Sequence, residues 1–168
     1  HDVQELSVEA LEDQIAHLDV VVVIRPNNPT AEFLSHKQLK RWLSILQQDK
    51  GWLIVDEAFI DSLPESDELS MITQEPVNGL IVLRSVGKFF GLAGIRLGFV
   101  WAESALLSAL AGQLPTWPVS TVARWAGKIA LQDENWQLLM RRRLVRDSQK
   151  LCDLLAKYDF EFVSTPLF

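Results

Sequence analysis

The stretch Asp19-Val20-Val21-Val22-Val23-Ile24, followed by Arg25-Pro26-Asn27-Asn28-Pro29-Thr30, decides the architecture. A run of β-branched residues is stiff at χ1 and fits a pleated, extended backbone better than a helix. The run does not alternate with polar residues, so it predicts a strand covered on both faces, as in a parallel sheet. The prolines and asparagines that follow predict a turn-rich loop at the strand end.

Outward from this strand, helical and extended patterns alternate. Leu11 to Leu18 is weakly helical. Ser35 and Gln38 form a capping-box pattern, and Leu39, Trp42, Leu43 and Leu46 then recur at helical spacing. Trp52-Leu53-Ile54-Val55, closed by Asp56-Glu57, is a second strand, and Leu80-Ile81-Val82-Leu83 a third; a polar loop from Asp61 to Asn78 joins them. Arg84 to Arg96 is glycine-rich and interrupted by aromatics, and Leu97 to Trp101 predicts a fourth strand. Helices are expected over Ala102–Ala111, around Val119–Ala130, and from Asp133 to Lys157, the last with Trp136, Met140, Leu144, Leu151 and Leu155 on one side. Phe160-Glu161-Phe162-Val163 predicts a final strand. This alternation is the pattern of an α/β fold, a three-layer α/β/α arrangement with a mostly parallel sheet.

Composition narrows the function classes. The chain has 168 residues, 48% hydrophobic and 23% charged, which is ordinary for a globular domain with a real core. A net charge of −6 argues against nucleic acid and against an anionic membrane surface, but leaves room for a small anionic ligand. Cys152 is the lone cysteine, expected as a small core residue, so neither an internal disulfide nor a cysteine zinc cluster can form. His1, His17 and His36 lack metal-ligand spacing, and no metal is expected. No apolar run is long enough for a helical membrane span, and no signal-peptide pattern is present. The start at His1-Asp2 and the end at Thr165-Pro166-Leu167-Phe168 read as cuts inside a longer protein.

Polar residues gather just after the strands: Asn28 after the first, Asp56 after the second, Ser85 and Lys88 after the third. The carboxyl ends of parallel strands form the ligand crevice of open α/β sheets, so these groups converge on one edge. Lys88 lies among glycines and aromatics, where desolvation lowers an amine pKa and frees a nucleophile; the alternative is a surface lysine. Ser85 and Arg96 suit a phosphate dianion, or Arg96 forms a salt bridge. Asp56 at the end of a buried strand needs a cationic partner, such as a protonated pyridine nitrogen, an arginine, or a helix to cap. Asn28 is a turn residue or a donor to a phenolate-like oxygen, and Glu57 reads as structural. A nucleotide-binding glycine loop is excluded: no glycine lies five residues before Gly87, and no Ser or Thr follows Lys88.

Together these residues resemble the aspartate aminotransferase superfamily of pyridoxal phosphate enzymes (fold type I). Pro26-Asn27-Asn28-Pro29-Thr30 resembles its N-P-T-G loop, and Asp56-Glu57-Ala58-Phe59 its D-E-A-Y strand end. Ser85-Val86-Gly87-Lys88 with Arg96 resembles its S-x-x-K segment and the arginine that follows. Within the superfamily the chain is similar to the histidinol-phosphate aminotransferase branch. More narrowly, Leu83 to Phe99, Trp117-Pro118-Val119-Ser120 and the final Thr165 to Phe168 look like the threonine-phosphate decarboxylases of cobalamin biosynthesis.

The resemblance implies pyridoxal 5'-phosphate held on Lys88 as a Schiff base, with Asp56 on the pyridine nitrogen. It implies Asn28 on the ring 3-oxygen, Ser85 and Arg96 on the phosphate, and a cis Asn28–Pro29 bond. Phe59 stands where many relatives carry a tyrosine that donates to the 3-oxygen, and Ala31 stands for the N-P-T-G glycine. It further implies a small phosphorylated amino-acid substrate, O-phospho-L-threonine, decarboxylated to aminopropanol phosphate by a cytoplasmic homodimer. Residues 1–132 would belong to the large cofactor-binding domain, and 133–168 to an interdomain helix and the start of a small domain. Relatives are longer, with an N-terminal phosphate loop and ring-stacking segment and a C-terminal arginine for the substrate carboxylate. An aminotransferase shares all the residues named, and a non-catalytic sensor domain of a regulator carries the same fold.

Overall fold

The computed structural model describes residues 7–162. The helices are α1 (Val8–Gln14), α2 (His36–Leu46), α3 (Ser66–Leu69), α4 (Ser104–Gln113), α5 (Thr121–Gln132) and α6 (Glu134–Lys157). The strands β1 (Val20–Ile24), β2 (Trp52–Asp56), β3 (Leu80–Ser85) and β4 (Gly98–Trp101) form one sheet in the order β1-β2-β3-β4. The first three run parallel, and β4 returns antiparallel to β3. The connections explain this. The links from β1 to β2 and from β2 to β3 carry α2 and α3, whereas β3 and β4 are joined by a loop containing only one 3-10 turn. Parallel pairing needs a long crossover; without a helix the chain turns back on itself. The mostly parallel α/β sheet expected from sequence is therefore present.

One face of the sheet holds the core. Alternate strand residues Val21, Val23, Leu53, Val55, Leu80 and Val82 meet Leu39, Trp42, Leu43 and Leu46 of α2 in a single buried cluster. Ser35 caps α2 as its pattern predicts, its hydroxyl accepting from the Gln38 amide at 3.2 Å. Trp42 also donates to Glu12 at 3.2 Å, which ties α1 to the layer.

The opposite face differs from expectation. Val20, Ile24 and Val100 are exposed, and Val22 is 64% exposed. Nothing among the described residues packs on this side of β1, so the unalternating run is covered on one face and not on both. The helices after β4 follow the same trend: α4 and α6 have no buried residue, and α5 buries only Ala123 and Gly127. Cys152 is half-buried on α6 instead of lying in the core.

Two further expectations change. Residues 160–162 form no strand; Val163 and Thr165 to Phe168 lie outside the described residues. The segment from Asp61 to Asn78 is not a solvated loop, because Asp61, Ser62, Ser66 and Ser70 are buried. At the predicted boundary Asp133 separates α5 from α6, its carboxylate accepting from the Trp136 amide at 3.0 Å.

The β2–β3 crossover closes through Gly79, which has φ +73°, and a Cβ there would sit 3.0 Å from the Gly51 carbonyl oxygen. An L-residue in this conformation costs about 1–2 kcal/mol. Gly79→Ala is therefore expected to lower the unfolding free energy by that amount, read as a reduced urea midpoint at unchanged m; an unchanged midpoint would contradict the reading.

Candidate active site

Register brings the parallel strands to a common edge: Ile24 is level with Asp56, and Asp56 with Leu83. The loop after β1, the end of β2 and the segment from Ser85 to Lys88 all leave from that edge. Strand alternation sets Asp56 and Ser85 on the open face and their neighbours Glu57 and Arg84 on the other.

Asp56 is half-buried, and its Oδ1 accepts from the Ala58 amide at 2.9 Å. Among the described residues no ion pair involves it. Its carboxylate thus lies on the open side with a strand-end hydrogen bond and no cation among the described residues. The Ser85 hydroxyl accepts from the Gly87 amide at 3.1 Å. Lys88 Nζ lies 5.2 Å from the centre of the Phe59 ring, which joins two sequence-predicted residues directly.

Arg96 has φ +55° and donates to the Ala93 carbonyl at 3.1 Å, with no ion pair among the described residues. The Asn28–Pro29 bond is cis, as expected, and so is Arg25–Pro26. Ala31, standing for the family glycine, keeps the left-handed conformation at φ +57°. Asn28 itself is exposed, and no hydrogen bond or ion pair among the described residues links it or Arg96 to Asp56, Ser85 or Lys88.

The expected desolvation of Lys88 is absent: the side chain is exposed. The aromatics that follow it pack against α6. Trp136 meets Phe89 at 5.4 Å and Phe90 at 5.9 Å. A groove of about 380 Å³ behind them is lined by Phe90, Leu92, Trp125, Ile129, Asp133 and Trp136, so it backs the lysine loop and does not contain Lys88.

A buried polar cluster lies directly behind the edge, and of its members the sequence reading assigned a structural role only to Glu57. Glu57 is fully buried. Its Oε2 accepts from Ser70 Oγ and its Oε1 from the Met71 amide, both at 2.6 Å. Arg84 approaches Oε2 at 3.5 Å, and the buried Arg25 approaches Oε1 at 3.7 Å. Arg25 also donates to the carbonyls of Leu34 (2.6 Å) and Leu69, and it stacks 4.0 Å over Phe33. Arg84 completes the cluster with Asp61 at 2.5 Å. Burial pulls the Arg25 guanidinium below its ordinary pKa, and the charge on Glu57 opposes that shift. Burial pushes the Asp61 carboxyl up, while Arg84 and Arg141 pull it back. The available signal was residue type: arginine and glutamate at strand ends, with serines and an aspartate in one connecting segment.

The donor set fits pyridoxal phosphate. A primary amine, a carboxylate with no cationic partner among the described residues, a hydroxyl and a guanidinium share one sheet edge. These are the groups that an aldehyde, a protonated ring nitrogen and a phosphate require.

Comparison with known proteins agrees. The model of the aminotransferase class I and II family matches residues 1–166, and the chain belongs to that family of pyridoxal phosphate-dependent enzymes. It is 46% identical to threonine-phosphate decarboxylase of Pseudomonas aeruginosa over 158 residues, 94% of this chain and 47% of that protein. It is 34% identical to histidinol-phosphate aminotransferase of Pectobacterium atrosepticum over 117 residues, 70% of this chain and 32% of that protein. The fold matches the histidinol-phosphate aminotransferase of Sinorhizobium meliloti, solved with pyridoxal-5'-phosphate, with a TM-score of 0.82 at 18% identity. That match covers 96% of this chain and 44% of the other. The chain thus spans about half the length, 47%, of the Pseudomonas relative.

Glu57→Ala would leave Arg25 buried with no counter-charge, at a cost of about 3 kcal/mol or more, measurable as a lowered urea midpoint. A second test uses pH. Burial raises the native Asp61 carboxyl above its ordinary 3.8, so only between that value and the raised one does the folded state bind more proton than the unfolded chain; above the raised value Asp61 is the carboxylate that pairs with Arg84. Stability contributed by this titration is full below the ordinary value and declines as pH rises through the raised native value. Asp61→Asn is expected to remove this decline; an identical pH profile for the variant would contradict it.

Proposed function

We propose that this chain forms the cofactor-binding core of a pyridoxal phosphate-dependent decarboxylase acting on O-phospho-L-threonine. The product would be aminopropanol phosphate for the corrinoid nucleotide loop. The observation that carries the choice of reaction is the 46% identity to a threonine-phosphate decarboxylase across 94% of the chain. The edge built by Asp56, Ser85 and Lys88 supports the choice of cofactor.

In this reading the Lys88 amine would hold the cofactor through its aldehyde. Asp56 would hold the pyridine nitrogen and keep it protonated, its carboxylate being fixed at the strand end by the Ala58 amide. Ser85 and Arg96 hold the phosphate, and Asn28 donates to the ring 3-oxygen. Phe59 offers its ring face to the lysine in place of a phenol hydroxyl, so one donor to that oxygen is lost. When bound, pyridoxal phosphate supplies the electron sink that lets the bond from Cα to the carboxylate break with loss of carbon dioxide. Lys88 would be the group placed to return a proton to Cα.

Residues 1–132 serve in the large domain, and 133–168 supply the interdomain helix and the start of the small domain, consistent with the break at Asp133. The whole protein works as a cytoplasmic homodimer, a reading that rests on the family resemblance.

Amino transfer is the second reading, favoured by the 34% identity to a histidinol-phosphate aminotransferase. The two reactions use the same edge residues and differ in which bond to Cα is broken. The test incubates the protein that carries this chain with pyridoxal phosphate and O-phospho-L-threonine. Carbon dioxide release, abolished in Lys88→Ala and reduced at least about 100-fold in Asp56→Ala, is the expected result. Amino transfer to 2-oxoglutarate without carbon dioxide would overturn the decarboxylase reading.

A further inference from the structure

Lys88 is exposed, yet the chain on either side of it is held, and α6 does the holding. Phe89 and Phe90 meet edge to face at 5.0 Å. Trp136 packs on both, 5.4 Å from Phe89 and nearly parallel to Phe90 at 18°. Further along the same helix, the Arg141 guanidinium lies 5.3 Å over the Phe89 ring. Its Nε donates to the Asp61 carbonyl at 2.8 Å, and a terminal nitrogen donates to Ser66 Oγ at 3.2 Å. The Asp61 carboxylate in turn holds Arg84, the residue before Ser85. α6 therefore grips the segment from both ends: through Phe89 and Phe90 after the lysine, and through Asp61 and Arg84 before it.

This is not general packing of a helix on a core. α6 is 24 residues long with no buried residue, and Leu138, Leu139, Val145, Leu151 and Leu154 on it are exposed. The ring contacts of its Trp136 and Arg141 fall on Phe89 and Phe90, and Arg141 also bonds Asp61 and Ser66, the former being the residue that holds Arg84. A lysine side chain is a flexible stem with one charged end, so the backbone beneath it decides where the amine can dwell. Phe59 offers the amine a ring face, a weak and poorly directional partner.

We infer that Trp136 and Arg141 are positioning residues for Lys88. They fix the backbone from which its amine reaches the cofactor, and so tune the protonation of the bond it makes there. The inference rests on the reading of Lys88 as the cofactor lysine.

The test is a pH titration of the visible absorbance of the protein loaded with pyridoxal phosphate, with Lys88→Ala as the blank. Trp136→Leu and Arg141→Met are each expected to shift the midpoint by about 0.5 pH unit or more. Trp136→Phe, which keeps a ring against Phe89 and Phe90, is expected to bring it back to the wild-type value. Two controls separate positioning from loss of stability. Gly79→Ala weakens the fold far from the loop, and Arg143→Ala removes an exposed pair on α6 at 3.3 Å from Asp147; neither should move the midpoint. Should Trp136→Leu fail to fold, Arg141→Met decides alone. Unshifted midpoints in cofactor-loaded variants, or an equal shift in Gly79→Ala, would overturn the inference while leaving the lysine assignment intact. A wild-type protein with no Lys88-dependent band would instead remove the assignment, and the inference with it.

Discussion

Glu57 is the point on which the sheet edge depends. A fully buried carboxylate is costly unless charge and hydrogen bonds surround it. Here Arg25 leaves β1, Arg84 lies in β3, and Glu57 itself follows β2, so one buried group joins the ends of all three parallel strands. Ser70 and Met71 saturate its oxygens and draw the long connecting segment against the sheet. Buried ion pairs of this kind often add little net stability over a well-packed apolar substitute. The cluster's contribution is arrangement, because each member is costly to leave alone and all of them share one geometry.

The cluster and the candidate site are two faces of the same strand ends. Each step along a strand turns the side chain to the other face. Glu57 and Arg84 point inward and are satisfied there, and so Asp56 and Ser85 point to the open face with chemistry to spare. The arrangement separates a dry, saturated layer that holds position from a wet layer that meets the ligand. Exposed lysine, arginine and asparagine side chains at this edge agree with that division. Non-glycine residues with positive φ at Ala31 and Arg96 flank it, as strained backbone does at sites where position is over-determined.

Much of this was legible in the residues. β1 was readable because five β-branched side chains leave few alternatives to an extended backbone, and α2 because its cap and its apolar stripe agree. The three polar strand ends were readable because parallel strands necessarily finish on one edge. The coverage of β1 was not readable, since a continuous apolar run records a preference for burial and not the partner that meets it. The segment from Asp61 to Asn78 was misread because polar composition looks the same in water and in a satisfied buried cluster.

The sequence by itself determined the local elements, the order of the motifs and the chemical types gathered at the edge, because these follow from side-chain sterics and spacing along the chain. Only the tertiary structure decided that Glu57 has two arginine partners and Asp56 none among the described residues, that Lys88 is exposed, and that Phe89 and Phe90 turn to Trp136 on α6. Those outcomes depend on distances between residues remote in sequence, such as Arg141 and Asp61. Distance of that kind is set by packing, and no local pattern encodes it.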